Sequence, residues 1–117
     1  MIASKVQVRS KIWIEVHGRP VLGPGRLELL RAVEERGSMS GAARFMKISY
    51  RKAWGQIRAM EERIGLPLME KQTGGVGGGG TRLTAEAREF LKKYAHLVEG
   101  LEELVDRKFG EVFYEKR

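Results

Sequence analysis

The sequence predicts a mainly α fold with a small β component, and three observations carry that prediction. Near the amino terminus apolar residues alternate with polar ones, the two-residue period of a half-buried strand. From Arg26 to Ile64 the period becomes that of amphipathic helices separated by short joints. Beyond Thr84, apolar residues step by four and three for about four turns, the pattern of one long helix. A length of 117 residues suits one domain with a helical extension. The expected division is 1–84 for a β-hairpin with a helical head and 85–117 for the terminal helix.

Val6, Val8, Ile12, Ile14 and Val16 form the alternating run. His17-Gly18 supplies a turn, and Arg19-Pro20-Val21-Leu22 returns as a short edge strand, since Pro20 has no N–H to donate. Gly23-Pro24-Gly25 breaks the chain. The first helix then starts at Arg26, with Leu27, Leu30, Ala32 and Val33 on its apolar stripe, and Gly37 ends it. A second, short helix is expected from about Ser40 to Met46, its cap drawn from Ser38-Met39-Ser40. After the joint Lys47-Ile48-Ser49, a third helix runs from Tyr50 to about Ile64, with Ala53, Ile57, Met60 and Ile64 on its core face. Leu68–Gln72 reads as a strand, Thr73–Gly80 as a loop and Thr81–Leu83 as the returning strand. Thr84 caps the last helix, whose seam is Phe90, Tyr94, Leu97, Leu101 and Leu104. That stripe is longer than a small head covers, so the five residues are the expected homodimer interface.

Composition narrows the chemistry. The net charge is +7, from 22 Lys plus Arg against 15 Asp plus Glu. Residues 38–65 alone hold 6 basic and 2 acidic groups, whereas residues 84–117 hold 7 and 8. The excess therefore belongs to the head and suits an acidic partner, although a merely solvated basic surface has the same count. Hydrophobic residues make up 42%, enough for a core. No apolar run reaches the ~18 residues of a membrane span, nor does the amino terminus carry a signal-type stretch, so a cytoplasmic protein without membrane contact is expected. Cysteine is absent, which removes thiolate catalysis and Cys-ligated metals. His17 and His96 with the lone Asp106 do not compose a metal site, and Glu61 and Glu62 point ~100° apart on a helix. No nucleophile–base arrangement is present, so neither enzyme activity nor a cofactor is expected.

Two helices around a three-residue joint, followed by strand–loop–strand, is the element order of a winged helix-turn-helix. Ala42-Ala43 lets the two helices approach. With its core face inward, the third helix offers Tyr50, Arg51, Lys52, Trp54 and Arg58 to a DNA major groove, and Ser38, Ser40 and Ser49 lie near phosphates. Trp54 has two readings, groove contact or packing beneath the wing. Lys71, Thr73, Gly74, Gly75 and Arg82 belong to the wing. The chain has 15 glycines, six of them between Gly74 and Gly80. Gly75, Gly77 and Gly80 fit G-x-G-x-x-G in form only, because a strand and not a helix follows; Gly80 is followed by Thr81-Arg82, so a Walker A loop fails too.

The run from Gly37-Ser38-Met39-Ser40-Gly41-Ala42-Ala43-Arg44 through Ile48-Ser49-Tyr50-Arg51-Lys52-Ala53-Trp54 resembles the N-terminal domain of the molybdate-responsive ModE family, and more distantly the helix-turn-helix of LysR-type regulators. The segment Thr73–Thr84 resembles that family's wing. The resemblance covers about Lys11 to Leu91. It implies a transcriptional regulator that binds a palindromic operator on double-stranded DNA as a homodimer. Val76 stands where many relatives carry a basic residue. The chain stops before the molybdate-binding modules of longer relatives, so molybdate sensing is not carried over and the small-molecule effector is unknown. A non-specific DNA-coating protein is the alternative, and a protein–protein adaptor with an incidental basic face is a third reading.

Overall fold

A computed structural model describes residues 5–72 and 80–114. Among these, four helices and two antiparallel hairpins follow one another as expected. The first hairpin pairs β1 (Ile14–Val16) with β2 (Arg19–Leu22), and the second pairs β3 (Met69–Gln72) with β4 (Gly80–Leu83). The helices are α1 (Pro24–Arg36), α2 (Met39–Met46), α3 (Tyr50–Ile64) and α4 (Ala85–Phe113).

The caps account for most of the helix boundaries. Oxygens of Ser38, Ser49 and Thr84 accept the backbone N–H groups of Gly41, Lys52 and Ala87, respectively, so α2, α3 and α4 each start on a satisfied donor. Thr84 also donates its hydroxyl proton to the Pro67 carbonyl, which ties the start of α4 to the base of β3. Gly37 and Gly65 close α1 and α3 in the left-handed region. Lys47 adopts that same region with φ 60°, turning the chain between α2 and α3. Its N–H and that of Ile48 bond back to Arg44 and Ala43.

Three expectations change. The chain does not break at Pro24, which is instead pre-organised for the first turn of α1, so this helix begins two residues before Arg26. Leu29 is fully buried beside Leu30, Ala32 and Val33, because α1 is covered on two sides, by β2 and α2 on one and by β4 on the other. The strand expected from Val6 shrinks to Ile14–Val16, since β2 is only four residues long and leaves the earlier segment unpaired. Val6, Val8 and Ile12 still alternate as half-buried positions, but side chains hold this segment. Tyr94 donates to the Ile12 carbonyl at 2.6 Å and Tyr114 to that of Val6 at 3.1 Å.

The core is one cluster. Val21 and Leu22 of β2, the buried face of α1, Met39 and Ala42 of α2, and Ala53, Ile57 and Met60 of α3 close around it with Leu68 and Leu83. Helix α4 contributes Ala87 and Tyr94 and packs Phe90, Leu91 and Val98 against it. Beyond Val98 no described residue of α4 is buried, although the helix continues to Phe113. Twenty-nine residues span about 44 Å, the larger part of the molecule's 64 Å long axis.

Candidate nucleic-acid interface

Helix α3 is fixed along one face and open along the other. Ala53, Ile57 and Met60 are wholly buried. At 100° per residue, Arg51, Gly55, Arg58 and Glu62 fall within about 60° of each other on the opposite side, and all four are exposed. The flank toward β3 and β4 carries Tyr50, 57% exposed, and Trp54. Lys52 is exposed on the other flank, beside Gln56 and Arg63; the latter donates to the Pro20 carbonyl of β2. Arg51 and Lys52 thus address directions about 100° apart.

An open groove of ≈ 590 Å³ separates α3 from the second hairpin, with Ser38 and Ser40 at its upper rim and Lys71, Gln72 and Thr81 on its far wall. Trp54 sits half-buried between them and packs against the core cluster. Its ring meets Tyr50 edge-on at 6.5 Å, and the Arg58 guanidinium lies 5.2 Å from its centroid. Of the two readings of Trp54, packing beneath the hairpin is the one its position gives, and it holds two groove-lining side chains as it does so.

Carboxylates clamp the hairpin in place. Glu61 accepts the N–H groups of Leu68 at 2.8 Å and Met69 at 3.3 Å. Solvated charge was the expectation for Glu61; instead it joins the recognition helix to the start of β3. Glu34 accepts the Leu83 N–H and pairs with Arg88 at 3.6 Å, an exposed pair of small energetic weight. Thr81 donates to the Gly37 carbonyl at 3.0 Å. Arg82 faces Glu70 across the hairpin and bonds it through Nε at 2.8 Å, leaving its terminal nitrogens in solvent. No local pattern announced Glu61, Glu34 or Gly37 as contacts, because their partners lie 7 to 49 residues away. Thr73, Gly74 and Gly75, and Val76 with them, lie outside the described residues.

The terminal seam divides. Tyr94 is 3% exposed, covered by the chain's own amino-terminal segment, so it is a core residue and not part of a helix-pairing surface. Phe90 is half-buried against the same core, and Leu101 is half-buried. Leu97 and Leu104 are 44% and 52% exposed. Among the described residues no three His, Cys, Asp or Glu side chains gather as for a metal ion. No described helix is long and apolar enough to cross a membrane.

Comparison with known proteins gives the same head. The family model described as bacterial regulatory helix-turn-helix protein, lysR family, matches residues 24–88. The transcriptional regulator ModE of Haemophilus influenzae is 41% identical over 73 residues, 62% of this chain and 29% of that protein. The DNA-binding transcriptional dual regulator ModE of Escherichia coli K12 is 38% identical over 71 residues, 61% of this chain and 27% of that one. The chain thus spans under a third of the length of these curated relatives. Among solved structures, the DNA complex of the CbnR DNA-binding domain superposes with a TM-score of 0.56 at 28% identity, covering 76% of this chain and 98% of that one. The BenM DNA-binding domain on benA site 1 gives 0.53 at 26%, covering 73% and 94%.

Proposed function

This chain belongs to the bacterial regulatory helix-turn-helix proteins of the lysR family, and from that premise we propose that it regulates transcription by binding a palindromic site on double-stranded DNA as a homodimer. One observation supports the reading above the rest. Helix α3 buries Ala53, Ile57 and Met60 completely while Arg51, Gly55 and Arg58 project together from its far side. A helix so seated enters a major groove with its cations leading and its glycine letting the backbone come close. Arg51 reads a base edge; Arg58, braced on Trp54, and Tyr50 hold the groove wall. Lys52 takes the phosphates on the hairpin flank. The caps at Ser38 and Ser49 leave further N–H groups of α2 and α3 toward the backbone, with Ser40 beside them. Lys71, Arg82 and the segment with Thr73, Gly74 and Gly75 form the wing and follow the sugar–phosphate chain.

Pairing of two copies rests on α4, through Leu97, Leu101 and Leu104 with Phe90 at the margin. Two α3 helices then face DNA one turn, or a multiple of one, apart. Selection from random duplexes followed by salt titration tests the reading. An enriched palindrome, with Arg51→Ala losing about 1–3 kcal/mol on it and relaxing one position, is the expected result. Salt-dependent binding without enrichment would make this a DNA-coating protein, and no salt-dependent binding would overturn the proposal. Light scattering tests the pairing: the parent chain should be a dimer, and Leu104→Asp a monomer.

A further inference from the structure

A second cleft, ≈ 450 Å³, lies between the first hairpin, the start of α1 and the α2–α3 joint, away from the groove beside the wing. Its walls are apolar and partly flat, set by Trp13, Pro20, Leu22, Pro24, Met46 and Ile48. Half of the Trp13 surface is exposed, an unusual amount for an indole that packs against nothing but a glycine corner. Its Nε1 donates to Glu15 at 2.7 Å, which sets the ring plane.

The polar part of the lining is cationic and amide: Lys11, Arg26 and Gln56 contribute, and no acidic side chain does among the described residues. Arg26 is the informative member. Its Nε is closed off from solvent and has no hydrogen-bond partner among the described residues. A buried guanidinium N–H without an acceptor costs stability and is rare in folded chains. Gly25 adds to this. It lies inside α1, where its backbone has no need of glycine and alanine is the better helix former, yet a Cβ there would meet open space. An apolar cleft of this size with a few convergent polar groups has the form of a small-ligand site.

We propose that this cleft binds a small organic anion with a flat apolar body, of the aromatic monocarboxylate class, its carboxylate held by Arg26 and Lys11 and its ring against Trp13. The inference stands apart from DNA binding, since its test uses the chain alone. Because Met46, Ile48 and Gln56 belong to α2, the joint and α3, an occupant also touches the seat of the recognition helix.

Benzoate is the probe, with benzyl alcohol and inorganic sulfate as its two halves. Amide and indole signals of the ¹⁵N-labelled full chain are followed by NMR during titration. Benzoate should move the Gly25, Arg26 and Gln56 amides and the Trp13 indole N–H saturably, with a Kd below about 1 mM. Benzyl alcohol and sulfate should each bind at least about tenfold more weakly, and Arg26→Gln should weaken benzoate by a similar factor. Gly25→Leu, which fills the cleft and keeps the helix, should abolish the shifts even if Arg26→Gln proves unstable. Unsaturable shifts spread over surface lysines, sulfate binding as well as benzoate, or Gly25→Leu binding like the parent would each overturn the assignment. So would a DNA duplex that moves these signals where benzoate does not, for the cleft would then be a phosphate contact.

Discussion

Gly80→Ala is the most severe single methyl that the structure allows to be placed. A Cβ at position 80 would land on the carbonyl oxygen of Gly37, far inside contact distance, and that oxygen is the acceptor of the Thr81 N–H. Neither side can yield cheaply. Gly37 is the left-handed residue, φ 74°, that ends α1, while Gly80 is paired with Gln72 at the first position of β4. Relief requires moving one backbone off the other, which costs about 1–3 kcal/mol in a packed region. It also gives up a hydrogen bond of about 1 kcal/mol. Together the loss is about 2–4 kcal/mol. With an unfolding entropy near 2.1 cal/mol/K per residue, a chain of this size loses about 4 °C per kcal/mol, so Tm should fall by about 8–16 °C. Thermal melts followed by circular dichroism measure this, with Gly25→Ala as the control that should leave Tm unchanged or raise it. A fall of less than about 2 °C would refute the argument, since it would mean that β4 and the end of α1 are not held against each other.

Removing the carboxylate in Glu61→Ala strands the Leu68 and Met69 N–H groups and should cost about 1–3 kcal/mol in urea unfolding, whereas Glu61→Gln, which keeps one acceptor oxygen, should recover most of it. Gly55→Ala should separate folding from binding. It lies inside α3 with open space around it, so stability should rise by about 0.5–1 kcal/mol while affinity for the selected duplex falls, because the methyl enters the groove face. Tyr94→Phe should cost about 1 kcal/mol near neutral pH through the lost bond to Ile12. Burial, and then the Glu102 charge, raises the Tyr94 phenol above its ordinary 10.0. A raised folded-state pKa stabilises below the unfolded value and is lost as pH rises through the folded one, so the parent should weaken above about pH 10 and Tyr94→Phe should lack that part of the decline.

What was legible in the sequence was local. Ser38, Ser49 and Thr84 are read as caps because a cap binds a donor three residues on. The buried face of α3 is read from a period that repeats every turn. Arg51 and Arg58 as outward residues follow from the same period, but the separate direction of Lys52 needs the position of β2 to be seen. Tyr94 misleads for the opposite reason. Its place in the four-three stripe is real, yet a tyrosine offers a hydroxyl, and a carbonyl 82 residues earlier takes it. Glu61 carries no pattern either, since an adjacent pair of glutamates on a helix reads as solvated charge until a strand start is brought beneath one of them. Glycine was legible in number and not in reason: at Gly80 it is proximity to Gly37, at Gly37 a backbone angle.

The bonds from Tyr94 to Ile12 and from Tyr114 to Val6 also fix an order of events. They join residues 82 and 108 positions apart, so both close loops that take in most of the chain. On a ribosome the amino-terminal segment is made first and must wait for its hydroxyl donors, at roughly 5–20 residues per second, for several seconds. The helical head, whose contacts are nearer neighbours, has that interval in which to assemble. Until then Val6, Val8 and Ile12 are an apolar strand without a partner, the kind of segment a chaperone holds or a neighbouring nascent chain captures. The terminal helix therefore finishes the fold as well as extending it, and the two tyrosines mark the moment when the first-made residues stop being available to anything else.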